Sequence, residues 1–335
     1  MWEAIKKRKM SFTLFVLGLL GAGVFLFLRE AYPYQIKRVV RGVTNLGASV
    51  ETYTEDINTT LGGVGLNLSK SFIIMTRNYN ADARQQADIM GLIDDPKNLL
   101  FARWASASVC PIEWQVAEFD TGVNVQTGVT TMAENKFSKN ITLPTSVNLS
   151  RSFPLVYSRT SNGATNVDEA NIFCANITSS SNLEIRRSET GPNFNAEVSY
   201  QVIEFDRDVN VTSGVRTMAV NNDTENVTVS VPANKTFLVF SILPKANADG
   251  YEGYYMLNGY LVNDSVLRFG RGLSSATITS DAYWYLMNFT NNAFIEGGTA
   301  PVPAGTASLP INVSVTPQLV LNRTIAFPTT TIAAT

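Results

Sequence analysis

Histidine is missing altogether from the 335 residues. Its absence removes the commonest general base and metal ligand, so Ser-His-Asp and Cys-His catalytic arrangements and histidine-based zinc sites are excluded. Cysteine occurs twice, too few for a four-cysteine zinc site. Charge is scarce as well: Asp, Glu, Lys and Arg make up 16% of the chain and the net charge is −2, leaving no basic stripe to grip the phosphates of a nucleic acid. Phosphate-cradling loops are lacking too, because the glycines of Leu61-Gly-Gly-Val-Gly65 are not followed by a helix carrying lysine. These gaps argue against an enzyme and against a nucleic-acid binder. Polarity is supplied by Asn, Thr and Ser, as expected of an exported surface.

One long apolar run is present. Residues 1–10 form a short basic tail with Lys6, Lys7, Arg8 and Lys9 in sequence, and Ser11–Leu28 then carries no charge. Eighteen helical residues rise about 27 Å, close to the ~30 Å hydrocarbon core, so residues 11–29 are expected to span a membrane once. The run is longer than the apolar region of a signal peptide, and no small-residue cleavage pattern follows before Tyr32. A pilin-like helix, buried in a filament after leaving a membrane, is the other reading of the run. The basic cluster on one flank places the N-terminus in the cytoplasm or a virion interior and the rest outside.

Thirteen N-x-[ST] sequons all follow this span: Asn58, Asn67, Asn140, Asn148, Asn176, Asn210, Asn222, Asn226, Asn234, Asn263, Asn288, Asn312 and Asn322. They are expected to carry covalent N-glycans. In an oxidising compartment Cys110 and Cys174 are expected to pair, a link worth about 4 kcal/mol in the chain-entropy view; two separately buried thiols are the alternative.

Self-similarity sets the architecture. Ile112–Thr130 reads IEWQVAEFDTGVNVQTGVT, Val198–Arg216 reads VSYQVIEFDRDVNVTSGVR, and a weaker copy starts at Ala282. Trp114, Tyr200 and Trp284 each precede a glycine at the same spacing, respectively Gly128, Gly214 and Gly298. Period-two alternation in EWQVAEF and SYQVIEF predicts strands, the aromatic an interior anchor and the glycine a bulge or bend. Asp120-Thr121-Gly122 and Asp206-Arg207-Asp208 read as tight turns between two strands. NLSKSF, NLSRSF and NKTFLVF recur, as do LLFAR, LEIRR and LRFGR, and RGVTNL at 41–46 stands where TGVTTM and SGVRTM stand later. Tyr79–Leu92 has helix-forming composition and reads as a short helix or a strand-flanking excursion.

The expected fold is therefore an all-β ectodomain of tandem antiparallel β-sandwich repeats behind one transmembrane helix. Its boundaries are a diverged first unit at 30–110, with a shortened opening strand, full units at 111–196 and 197–280, and a partial fourth at 281–335. The pattern [WY]-Q-V-x-E-F followed by V-x-V-x-x-G resembles a repeated β-sandwich unit of microbial exported and virion surface proteins. The third copy departs from it, with Asn288 in place of Glu. The whole arrangement is similar to archaeal envelope proteins and archaeal virus coat glycoproteins.

The resemblance says little about function; the leading expectation, from tandem sandwiches whose exposed edges invite strand sharing, is a structural role: a membrane-anchored glycoprotein that assembles with itself or with neighbouring subunits in an envelope, filament or coat. The alternative is an adhesin or lectin, with Tyr251, Tyr254, Tyr255 and Tyr260 lining a glycan site. Glu118-Phe119-Asp120 and Glu204-Phe205-Asp206 are the recurring carboxylate pairs; a Ca²⁺ is the one ion they would suit, and solvated or turn-capping carboxylates the plainer reading.

Overall fold

The computed structural model describes residues 35–77, 88–104, 109–161, 171–188, 194–245, 257–271 and 278–290. The expected tail and membrane span lie outside these, as do Gly298, Asn312 and Asn322. No helix among the described residues is long and apolar enough to cross a membrane.

The described chain is all-β. It contains eighteen strands, three short 3-10 turns and six antiparallel three-stranded sheets. The first six strands are β1 (Gln35–Leu46), β2 (Thr52–Asp56), β3 (Ser71–Arg77), β4 (Met90–Asp95), β5 (Asn98–Ala102) and β6 (Cys110–Thr121). They form sheets β1-β6-β3 and β2-β5-β4. The next six are β7 (Val123–Met132), β8 (Ser138–Thr142), β9 (Ser152–Thr160), β10 (Phe173–Ser179), β11 (Asn182–Arg187) and β12 (Ala196–Phe205). Their sheets, β7-β12-β9 and β10-β11-β8, repeat the same order. So do the last six: β13 (Val209–Met218), β14 (Thr224–Thr228), β15 (Thr236–Pro244), β16 (Leu257–Asn263), β17 (Val266–Arg271) and β18 (Ser280–Phe289), in sheets β13-β18-β15 and β14-β17-β16.

Each pair of sheets shares a hydrophobic core. Leu46, Ile73, Leu99, Phe101 and Val116 fill the first, Leu183, Ile185, Val198 and Val202 the second, and Leu267, Phe269 and Leu286 the third. A fourth cluster joins all three sets and contains Phe72, Phe119, Phe153, Phe205 and Phe289. This is why β12 and β18 are buried on both faces: one face meets its own core and the other its neighbours. The simple in-out alternation expected of these strands is overridden there by packing between sets.

The phase of the repeat differs from the expected one. The aromatic strands β6, β12 and β18 close their six-strand groups, each pairing back with the group's first strand. RGVTNL lies in β1, a full twelve-residue opening strand in register with β6 over most of its length, so the first set is not shortened. Asp120-Thr121-Gly122 and Asp206-Arg207-Asp208 join strands of different sheets and are linkers between sets. Positive φ at Gly122 (81°) and Asp208 (59°) makes the bend, a conformation that Gly adopts freely and Asp tolerates. Tyr79–Leu92, open in the sequence to a short helix or a strand-flanking excursion, ends in strand, since Met90 opens β4; residues 79–87 lie outside the described ones.

Candidate functional site

The aromatic anchors point inward, and their partners are glycines on the paired strand. Trp114 lies opposite Gly42, Tyr200 opposite Gly128, and Trp284 opposite Gly214. A Cβ on Gly214 would stand 2.7 Å from Trp284 Cζ2, and one on Gly42 or Gly128 would likewise collide with the facing ring. The ladder runs through Gly128 and Gly214 without interruption, so these glycines mark no bulge. They make room for a ring laid across the strand. Trp114 Nε1 donates to Thr44 Oγ1 at 2.9 Å, which anchors the first ring.

Both recurring glutamates cap backbone amides. Asn67 N–H donates to Glu118 Oε1 at 3.0 Å and Asn148 N–H to Glu204 Oε1 at 2.8 Å, in each case at the 3-10 turn before the sheet's third strand. Glu118 is also held by Lys37 at 3.0 Å and Arg38 at 2.6 Å. Burial alone would raise its carboxyl; the Asn67 amide and the two cations outweigh that and hold it below the usual range. Its oxygens are thus committed to the protein. Among the described residues no group of three His, Cys, Asp or Glu could hold a metal ion.

The cysteines do not form the expected disulfide. Cys110 is buried in the first core, beside Ile112 and Trp114. Cys174 is packed on β10 against Leu243 and Tyr283 of the third set, where burial raises its thiol far above the ordinary value. The repeat carries each thiol into a different hydrophobic environment.

Eight sequon asparagines (Asn67, Asn140, Asn148, Asn210, Asn222, Asn226, Asn234 and Asn263) are exposed. Asn58, Asn176 and Asn288 are half-buried, and Asn176 Oδ1 accepts from Tyr285 Oη at 3.1 Å. Of the tyrosine group, Tyr260 is half-buried on β16, and Tyr251, Tyr254 and Tyr255 lie outside the described residues.

The recurring basic landmark has a role that spacing alone did not reveal. Arg103, Arg187 and Arg271 are buried at 0%, 0% and 7% exposure. Arg187 donates to the carbonyls of Lys136, Phe194 and Ala133 at 2.8–3.1 Å, and Arg271 to those of Ile278 and Ala219 at 2.9 Å. Burial pulls the Arg187 guanidinium down to about 10, still cationic at neutral pH. Each arginine ties the loop after the set's first strand to the end of its fifth.

The most distinctive geometry lies where one set meets the next. Gln201, on the outer face of β12, makes a two-point contact with the edge of β3: Ile73 N–H donates to Oε1 at 2.8 Å and Nε2 donates to Ile73 O at 2.9 Å. Met75 N–H donates to Tyr157 Oη at 3.1 Å, and Ser199 Oγ to Gly91 O at 2.8 Å. Burial pushes the Tyr157 hydroxyl up to about 12 although the Met75 bond pulls it down. The second joint uses the same places on the covering face, but it covers β10 and β11 where the first covers β3 and β4. Ile177 N–H donates to Tyr285 Oη at 3.0 Å, Ala175 N–H to Ser241 Oγ at 3.3 Å, and Arg186 to Tyr283 Oη at 3.1 Å. At both joints the open backbone of one set's edge strands is satisfied by side chains from the outer face of the next, which protects edges that would otherwise pair with other chains.

Six phenylalanines bind the joints together. Phe72 stacks on Phe119, Phe153 on Phe205 and Phe237 on Phe289, with centroids 6.0, 6.4 and 5.7 Å apart. Between sets the contacts are edge-to-face, Phe72 with Phe153 (6.4 Å) and Phe153 with Phe237 (6.3 Å), and Phe119 with Phe205 (6.3 Å) and Phe205 with Phe289 (5.5 Å). These are the favoured geometries for ring pairs. No protein-family model and no curated protein matches the chain.

Proposed function

We propose that the chain is a non-catalytic, membrane-anchored structural subunit of a microbial surface, whose three sets are β-sandwich units fused into one rod and whose exposed asparagines carry glycans. The anchor is the 11–29 segment, with the N-terminus inside and the sheets outside. The subunit assembles with copies of itself or with neighbouring subunits. The supporting observation is the joint made twice along the chain, with side chains of one sheet face satisfying the edge backbone of the set before it. A flexible receptor stalk needs no such joint. A subunit that keeps a fixed place in an envelope or coat does.

Native mass spectrometry of membrane-extracted protein tests this reading. The expected result is a glycan-bearing oligomer, or a complex with other surface subunits. A bare monomer without glycan mass would overturn it.

A further inference from the structure

Each set has a sheet edge that the joints do not cover. The joints cover the first set on β3 and β4 and the second on β10 and β11. On the opposite side β2, β8 and β14 pair, among the described residues, with β5, β11 and β17 alone. These five-residue strands are exposed along most of their length. Such an edge is a template for another chain's strand unless something blunts it.

The first edge is blunted by charge, with Glu55 and Asp56 closing β2. The other two carry a sequon instead. Thr54, Asn140 and Asn226 occupy one place, the middle of their strands, opposite Leu100, Glu184 and Arg268. Thr142 and Thr228 complete the two sequons and stand where Asp56 stands in β2.

In both sequons the carboxamide oxygen is engaged and the nitrogen is left over. Asn226 Oδ1 accepts from Arg268 Nε at 3.0 Å, and because a guanidinium only donates, the atom facing it is the oxygen. Asn140 Oδ1 accepts from Asn182 Nδ2 at 3.0 Å, a nitrogen that also donates to Thr178 Oγ1. Both asparagines are exposed. Asn222, also exposed and four residues before Asn226, is the opposite case. Its nitrogen donates to Glu225 Oε1 at 2.7 Å, and a carboxylate held by Arg216 only accepts.

We infer that Asn140 and Asn226 are the N-glycan acceptors that close the β8 and β14 edges, and that Asn222 stays bare. In the transfer, Nδ2 bonds the anomeric carbon of a lipid-phosphate-linked oligosaccharide and the carbon–oxygen bond to that phosphate breaks. The lipid phosphate leaves, and the proton lost from Nδ2 passes to a base of the transferase. Oδ1 takes no part, so its bond to Arg268 or Asn182 survives and holds the root of the glycan on its strand. A bulky, hydrated glycan at mid-strand then keeps a second chain from pairing there. The inference rests on the glycan-bearing part of the proposed function, narrows it to named acceptors and says what their glycans do.

Glycopeptide mass spectrometry with electron-transfer fragmentation, on the chain taken from its own membranes, reads the sites. Asn222 and Asn226 share the tryptic peptide Thr217–Lys235, so one spectrum compares them. Asn140 and Asn226 are expected to carry glycan mass and Asn222 none. A glycan on Asn222, or a bare Asn140 or Asn226, overturns the inference. Glycans on other sequons would then leave the glycoprotein standing, and a chain with none anywhere overturns both.

Thr142→Ala/Thr228→Ala removes both glycans and leaves the asparagine contacts in place. Its melting temperature is expected to hold, while thioflavin-positive material that sediments rises at least tenfold over the unaltered chain. Asn140→Lys/Asn226→Lys lacks the same glycans but puts a charge on each edge, and should stay at the unaltered level. An alanine variant that sediments no more than the unaltered chain overturns the inference. If that variant melts lower, Asn140→Gln/Asn226→Gln is set against the lysine pair. Aggregation of the glutamine chain alone supports the inference, and equal behaviour of the two overturns it.

Discussion

Two kinds of residue carry most of the stress of the repeat: the glycine under each ring and the buried arginine. Gly214 has no side chain because Trp284 occupies the space one would need, with Cζ2 2.7 Å from the position of a Cβ. Gly214→Ala should therefore overpack the third core and destabilise it by about 1–3 kcal/mol, and the opposite change, Trp284→Ala, by about 3–5 kcal/mol through the cavity left behind. Urea unfolding followed by fluorescence at the ring's end of the core checks both. Arg187 poses a different problem, since its guanidinium satisfies three carbonyls from Ala133, Lys136 and Phe194 in a place water does not reach. Arg187→Met fills similar volume but orphans those acceptors, at about 1–3 kcal/mol for each group left without a partner. Arg187→Lys should not restore stability, because a point ammonium cannot span three acceptors that a planar fork meets at once. A melting curve for the Lys variant that matches the unaltered chain would refute that role.

At the scale of strands and turns, titration separates the caps from the joints. Glu118 is held below the usual carboxylate range in the folded chain, so its contribution is present above the unfolded value of about 4.3 and is lost as pH falls through the lower folded one. Acid unfolding should therefore begin below about pH 4, and Glu118→Gln should both lower stability at neutral pH and flatten that acid limb. Tyr285 behaves in the opposite sense: burial raises its hydroxyl to about 12. Between the unfolded value of about 10 and that folded value the unfolded chain ionises first, so stability falls across this window, and Tyr285→Phe should reduce the fall while the buried Tyr157 hydroxyl and Cys174 thiol keep part of it. Circular dichroism during acid and base titrations reads both limbs. The sequence showed these elements unevenly. Rings and glycines at fixed spacing were visible because only those residues fit a ring laid on a bare strand, and that much of the fold was legible. Their phase was not, since a ring-to-glycine interval of Trp114 to Gly128 is the same whether it lies within a unit or crosses a joint. The true partner, Gly42, is far earlier in the chain. The joints were less legible still: Gln201 and Tyr285 occupy one place with different chemistry, and nothing in either residue type announces that it will bond an edge backbone.

The whole molecule depends on whether three cores behave as one. Each set has its own buried cluster, and a chain of independent cores would unfold in steps, because repeat arrays owe their cooperativity to the interfaces between neighbours. The described residues contain a fourth cluster spanning all sets, with Phe153 at its centre and 0% exposed. Phe153 stacks on Phe205 and meets both Phe72 and Phe237 edge-on, so, like Phe205, it touches all three sets. Phe153→Ala should cost about 3–5 kcal/mol, the usual range for a buried phenylalanine, and its effect should fall on coupling as well as on the second core. The expected signature is a calorimetric transition that changes from one cooperative peak into two or more, with the unfolding enthalpy from the peak shape falling below the measured total. Val198→Ala gives the control, since Val198 lies wholly in the second core and touches no ring of the ladder described above. It should lower the melting temperature and leave the single peak intact. A Phe153→Ala/Phe205→Ala chain, which removes both rings that reach all three sets, that still melts as one unit would place the coupling in the hydrogen-bonded joints of Gln201 and Tyr285.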